Sequence, residues 1–135
     1  MNGSVKVVPL RAVCLEGFME QLKYEFAHLG INCENEQSAG LLCSNLQAAF
    51  GFRVYELPGS CFVTGSMEVL KEPYRGEHGH IGFYTNDIKS AVIDLEEKGF
   101  SVDPATAKYD DGHMISVYLK QDFGGFAVHL LQKRE

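Results

Sequence analysis

The sequence predicts an α+β domain in which a βαβββ module occurs twice, giving a curled eight-stranded mixed sheet. Three observations predict it: an internal repeat, a switch from strand-like to helix-like hydrophobic periodicity within each copy, and turn residues at matching places. His28-Leu29-Gly30-Ile31, Ser38-Ala39 and Gly51-Phe52-Arg53-Val54 return as His80-Ile81-Gly82-Phe83, Ser90-Ala91 and Gly99-Phe100-Ser101-Val102. The first copy has four more residues between Ser-Ala and Gly-Phe. Four is close to one helical turn, so the insertion lengthens a helix without rotating its buried face.

Residues 1–25 precede the repeat. Leu10, Cys14, Phe18 and Leu22 fall at i+4 steps and predict an amphipathic N-terminal helix. The rest, 26–135, reads as one domain of two modules, 26–72 and 78–133, joined by the polar segment Glu72 to Gly79.

In the first module Ala27 to Cys33 alternates as a strand, Asn35 caps a helix, and Gly51 stops it. Between them Ala39, Leu42, Leu46, Ala49 and Phe50 form the apolar stripe. Strands follow over Phe52 to Leu57, Ser60 to Thr64 and Ser66 to Lys71, with Pro58-Gly59 as a turn. In the second module His80 to Thr85 is the strand, Asn86 or Asp87 the cap, Ile88, Ala91, Val92 and Leu95 the stripe, and Gly99 the stop. Ser101 to Tyr109, Met114 to Lys120 and Phe126 to Gln132 complete it. The hairpin turn Asp110-Asp111-Gly112-His113 uses Gly112 for its positive φ.

Composition narrows the function. The chain has 135 residues, is 45% hydrophobic and 22% charged, and contains no apolar stretch near the ~20 residues of a membrane-spanning helix. Met1 to Leu10 lacks the long apolar region and cleavage site of a secretory signal. Cys14, Cys33, Cys43 and Cys61 lie in apolar patterns without C-x-x-C spacing, which predicts reduced, buried thiols in a cytoplasmic setting. A net charge of −6 without clustered Lys or Arg argues against nucleic acid and for a small molecule or a protein as partner.

Successive strand residues point to opposite faces, which places His28 with Phe26, Gly30 and Asn32, and His80 with His78, Gly82 and Tyr84. As repeat equivalents, His28 and His80 would meet near a pseudo-twofold axis. The last strand of each module carries one ionisable residue in an apolar run, Glu68 and His129. A carboxylate among such neighbours is costly to bury unless it is paired or bound to metal. Three imidazoles and one carboxylate suit Zn, Fe(II), Ni, Mn or Co, and coordination beyond four leaves room for a bidentate substrate. The plainer alternative is hydrogen-bonded core histidines and a solvated Glu68, but matching ionisable positions in both copies favour a shared divalent-metal centre. His78 and His113 read as solvated. Tyr84, Tyr118 and Lys120 are the candidates to line an open cleft, with Lys120 suited to an anionic oxygen, against the plainer alternative of strand tyrosines and an edge charge.

His28-Leu29-Gly30-Ile31, Met67-Glu68-Val69, Gly79-His80-Ile81-Gly82-Phe83 with Asn86-Asp87-Ile88, and Gly124 to Leu131 resemble the vicinal oxygen chelate superfamily over roughly His28 to Gln132. That superfamily includes glyoxalase I, bleomycin-resistance proteins and extradiol dioxygenases. Gly30 to Glu36, Tyr118-Leu119-Lys120 and the Gly-Gly-Phe-Ala-Val-His-Leu close also resemble the domain that follows a keto-hydroxyglutarate or phosphogluconate-type aldolase barrel. The resemblance implies His28, Glu68, His80 and His129 as ligands of a metal that chelates two adjacent substrate oxygens. It also implies a homodimer. His129 stands where the glyoxalase pattern has Glu, which removes the carboxylate tied to proton abstraction and leaves the metal more positive, favouring a keto acid or sugar acid. The expected function is therefore a metal-dependent lyase or isomerase. The alternatives are a non-catalytic module working with an aldolase and an antibiotic-sequestering protein.

Overall fold

The computed structural model describes residues 12–15 and 18–134. The first described elements correct the expected N-terminal helix. Strands β1 (Ala12–Leu15) and β2 (Phe18–Gln21) pair antiparallel, Ala12 opposite Gln21 and Leu15 opposite Phe18. Four is an even number, so apolar residues at i+4 satisfy the two-residue period of a strand as well as a helical turn. Leu22, which follows β2, is fully buried. Residues 1–11 lie outside the described residues.

The two modules follow as the repeat predicts. The first is β3 (Tyr24–Asn32), α1 (Glu36–Phe50), β4 (Val54–Glu56), β5 (Ser60–Val63) and β6 (Met67–Leu70). The second is β7 (Gly79–Thr85), α2 (Ile88–Glu97), β8 (Val102–Asp110), β9 (His113–Leu119) and β10 (Phe126–Gln132). All eight of these strands form one mixed sheet in the order β4-β5-β6-β3-β7-β10-β9-β8. Read outward from its centre, each half has the same sequence of strands. β3 and β7 meet antiparallel at the seam, and each pairs in parallel with the last strand of its own module, β6 or β10.

Local chemistry explains the element ends. Asn35 and Ser38 close a capping box at the start of α1, and the Asp87 carboxylate accepts from the Ser90 N–H at the start of α2. Gly51, at φ 69°, ends α1 in the left-handed conformation. The buried face of α1 is Ala39 and Cys43, flanked by half-buried Leu42 and Leu46, whereas Ala49 and Phe50 of the expected stripe are exposed. They sit in the last turn, where Phe50 stacks on Phe52 with 5.5 Å between ring centroids. α2 buries Ile88 and Ala91, as its stripe predicts, and also Asp94. That carboxylate is buried because it accepts from the Tyr24 hydroxyl at 2.6 Å and pairs with Lys98 at 2.7 Å.

Each helix covers its own half of the sheet with its own core. Ala39, Cys43, Cys61, Val63 and Val69 form one, and Leu22, Ile88, Ala91, Val117, Leu119, Val128 and Leu130 anchor the other. The opposite sheet face carries the ionisable residues. No helix of the described residues is long and apolar enough to cross a membrane.

Candidate metal centre

Sheet register builds the site. In one row across the strands, Glu68 of β6 lies opposite Gly30 of β3, which lies opposite His80 of β7. In the next row His28 of β3 lies opposite Gly82 of β7, which lies beside His129 of β10, itself opposite Tyr118 of β9. The rows are related by the repeat: each module gives one histidine, one glycine and one outer ionisable group. Residues opposite one another in a sheet share a face, so all four predicted ligands point the same way.

Phe26 does not share that face. A register shift between Phe26 and His28 inserts Ala27 as a bulge and sets Phe26 opposite Phe83, so the expected grouping of Phe26 with His28 is corrected. Bulges break the alternation on which that grouping relied.

The side chains converge. His28 Nε2 lies 3.1 Å from His80 Nε2, and His80 Nε2 lies 3.2 Å from Glu68 Oε1. Ligand atoms of these three residues all fall within 4.8 Å of one another. His129 stands just outside this group: its ring centroid is 6.0 Å from that of His28 and 6.2 Å from that of His80. It lies flat against Tyr118, with 4.2 Å between ring centroids and 1° between planes. The Ser60 hydroxyl donates to the second Glu68 oxygen at 3.3 Å.

Electrostatics leaves His28, His129 and Glu68 in the states a metal requires. Burial and then the neighbouring His80 hold the His28 pKa below its usual value, and burial followed by His28 and His80 lowers that of His129 to about 4. Both imidazoles are therefore neutral at neutral pH. Glu68 is held below the ordinary carboxylate range, first by its hydrogen bond from His80, so it is ionised. Neutral imidazole and ionised carboxylate are the ligating forms.

Two further observations test the fit of a metal. Metal–nitrogen bonds of about 2.1 Å meeting near a right angle put two nitrogens about 3 Å apart, matching the His28–His80 contact. The Nδ1 atoms of His80 and His129 are buried without a hydrogen-bond partner; in His80 this is not the nitrogen that meets His28 and Glu68, so only at His129 does it bear on the fit. The donor set fits a divalent cation, with His28, Glu68 and His80 to hold it.

A cavity of about 440 Å³ opens over these groups. Beyond the four predicted ligands, its walls include Ser60, Phe62, Tyr74, Lys108 and Tyr118. Of the three residues expected to line a cleft, Tyr118 alone lines this cavity, with its phenol pushed up to about 12 by burial and then by Tyr74. Tyr84 lies one further alternation along β7 and is 37% exposed, outside this cavity. Lys120 lines a separate cavity of about 370 Å³ with Arg75 and Asp122. His78 and His113 are exposed. Sequence reasoning missed Tyr74 and Arg75, which lie in the segment joining the modules, and Lys108, which follows an irregular stretch of β8. Neither place carries a periodic signal.

No family model and no curated protein matches the chain. Solved structures do. A hypothetical protein from Bacillus halodurans C-125 superposes with a TM-score of 0.57 at 16% identity, covering 83% of this chain and 96% of that one. Methylmalonyl-CoA epimerase from Streptomyces coelicolor, in complex with 2-nitronate-propionyl-CoA, gives 0.54 at 21%, covering 81% and 94%. A 4-hydroxymandelate synthase mutant from the same organism gives 0.55 at 16%, covering 82% of this chain but 49% of that one. The chain shares the fold of these structures. Within that fold the repeated βαβββ module and its paired histidines occupy the central seam of the sheet.

Proposed function

We propose that this protein is a divalent-metal-dependent lyase or isomerase that acts on a small oxygen-rich anion, a keto acid or sugar acid, by bidentate chelation. The observation that carries the reading is the convergence of two imidazoles and one ionised carboxylate, from the two modules of the chain, on one cavity. His28, Glu68 and His80 would hold the ion, with His129, whose ring lies about 6 Å from both histidine rings, as the fourth ligand. When bound, the metal would act as a Lewis acid on developing oxyanion charge. The protein's share is to position the substrate: Lys108 and the Tyr74 and Tyr118 hydroxyl-bearing rings border the space where it would sit.

The test is elemental analysis of protein expressed without a His tag in metal-replete medium, followed by NMR of 2-oxo acids in D2O. About one divalent ion per chain and metal-dependent exchange of the protons next to the carbonyl are expected, both lost in His80→Ala. Absence of bound metal overturns the reading.

A second reading rests on the cavity's carboxylates. Among its lining residues Glu68 is the only one, and it is engaged by His80. A site without a free carboxylate base suits a module that holds its ligand without turnover, beside an aldolase or as an antibiotic-sequestering protein. Stoichiometric metal and tight ligand binding with no proton exchange would favour it. A homodimer and a cytoplasmic location remain part of the proposal, tested by light scattering and cell fractionation.

A further inference from the structure

Arg75 sits in the segment between the modules, beside the metal cavity but outside its chemistry. Its guanidinium carbon lies 4.9 Å from the Tyr118 ring centroid and 5.7 Å from that of Tyr74. Those two rings stand 6.3 Å and 6.4 Å from the His80 ring, so a single ring separates the arginine from the site. Tyr118 is also the shared wall between the metal cavity and the second cavity, which Arg75 and Lys120 line.

The segment is held in place. Asn32 uses both ends of its amide: Nδ2 donates to the Gly76 carbonyl at 3.0 Å, and Oδ1 accepts from the Tyr74 N–H at 3.0 Å. Gly76, at φ 79°, has no space for a Cβ because the Gly79 carbonyl and Ala127 N–H occupy it. Tyr74 and Arg75 are thus presented by a backbone fixed on both sides.

The chain is net −6, and Lys71, Lys98, Lys133 and Arg134 each pair with a carboxylate. Among the described residues no carboxylate lies within ion-pairing distance of Arg75, Lys108 or Lys120, although Asp103 and Asp122 also line the second cavity. The Asp103 Oδ1 accepts from the Ala105 N–H. An arginine held over aromatic rings with its donor fork unpaired is arranged for a planar anion.

We infer that Arg75, positioned by Asn32, binds a second and remote anionic group of the substrate. The substrate class is then a 2-oxo or 2-hydroxy acid whose far end carries a carboxylate or phosphate, the near end chelating the metal and the far end passing over Tyr118. This rests on the proposed metal site.

The probes are 2-oxoglutarate and 2-oxopentanoate, which share a chelating head and differ in the remote carboxylate. Calorimetry on Mn(II)-loaded protein, after titration of the metal itself, gives the expected result: 2-oxoglutarate binds at least tenfold more tightly. Arg75→Gln abolishes that preference without changing 2-oxopentanoate affinity or metal affinity, Arg75→Lys keeps part of it, and Asn32→Ala weakens it. Equal affinity for both probes in the native protein, or an undiminished preference in Arg75→Gln, overturns the inference while leaving the metal site standing. A failure of the native protein to take up Mn(II) or Zn(II) overturns both.

Discussion

The imidazole of His80 occupies the space that a side chain at Gly30 would need, and Gly30 is the residue opposite it on β3. The repeat returns the arrangement: His28 lies over Gly82, where a Cβ would stand 2.5 Å from His28 Cε1. Each H-x-G motif therefore supplies a histidine to the site and a bare backbone position beneath its partner's ring.

Replacing either glycine tests this. Gly30→Ala and Gly82→Ala must each displace an imidazole, and the overpacking is expected to cost about 1–3 kcal/mol. Thermal melts should show the loss, and calorimetric titration should show metal uptake weakened by more than tenfold. Gly40→Ala, in α1 with nothing within 4 Å of a new Cβ, should instead stabilise by about 0.5–1 kcal/mol.

Glu68→Gln keeps the shape of the side chain but removes the only negative donor of the cluster. Zn(II) affinity should fall more than tenfold, which corresponds to about 1.4 kcal/mol. Ser60→Ala, which removes one hydrogen bond to that carboxylate, should have a smaller effect of the same sign. An unchanged affinity in Glu68→Gln would show that the carboxylate is not a ligand.

Acid should destabilise the metal-free protein in a definite window. His129 protonates near 6.5 when unfolded but only near pH 4 when folded, so between these values the unfolded chain binds the additional proton. Its contribution to stability is complete above about pH 6.5 and is lost as pH falls toward 4. His28 is shifted the same way. Glu68, with its folded pKa depressed, adds stability above its ordinary 4.5 that disappears as pH falls through the lowered value. Urea unfolding in EDTA should show stability declining through this range, with a shallower decline in His129→Gln.

Thiol chemistry offers an independent check of the core. Cys61 is 1% exposed and its thiol is pushed up to about 12 by burial and then by its contact with Glu56, while Cys43 is 4% exposed. Both should resist a disulfide reagent in the native protein and react only on unfolding, whereas half-buried Cys33 should react slowly. Rapid native labelling of Cys61 would contradict the packing of α1 on the sheet. Cys14, also expected to be buried, has no described side chain.

Much of this arrangement was legible in the chain because repetition constrains it. The paired His-x-Gly strands, the Asn35 and Asp87 caps, and the Gly51 and Gly99 ends each follow from local chemistry that acts within a few residues. The N-terminal strands did not, because an i+4 pattern cannot separate a two-residue period from a helical turn. The bulge at Ala27 was invisible for a related reason: alternation is a property of an uninterrupted strand, and only pairing with β7 reveals the added residue. Tyr74, Arg75 and Lys108 reach the cleft through the closure of loops and sheet edges, which one sequence does not encode in any regular spacing.

The antiparallel seam between β3 and β7 has one more consequence. His28 and Glu68 come from the first half of the polypeptide, His80 and His129 from the second, so neither half alone contains a complete nest of donors. An ion lodged there would act as a rivet through the joint, unable to settle until the two halves have docked and resisting their separation afterwards.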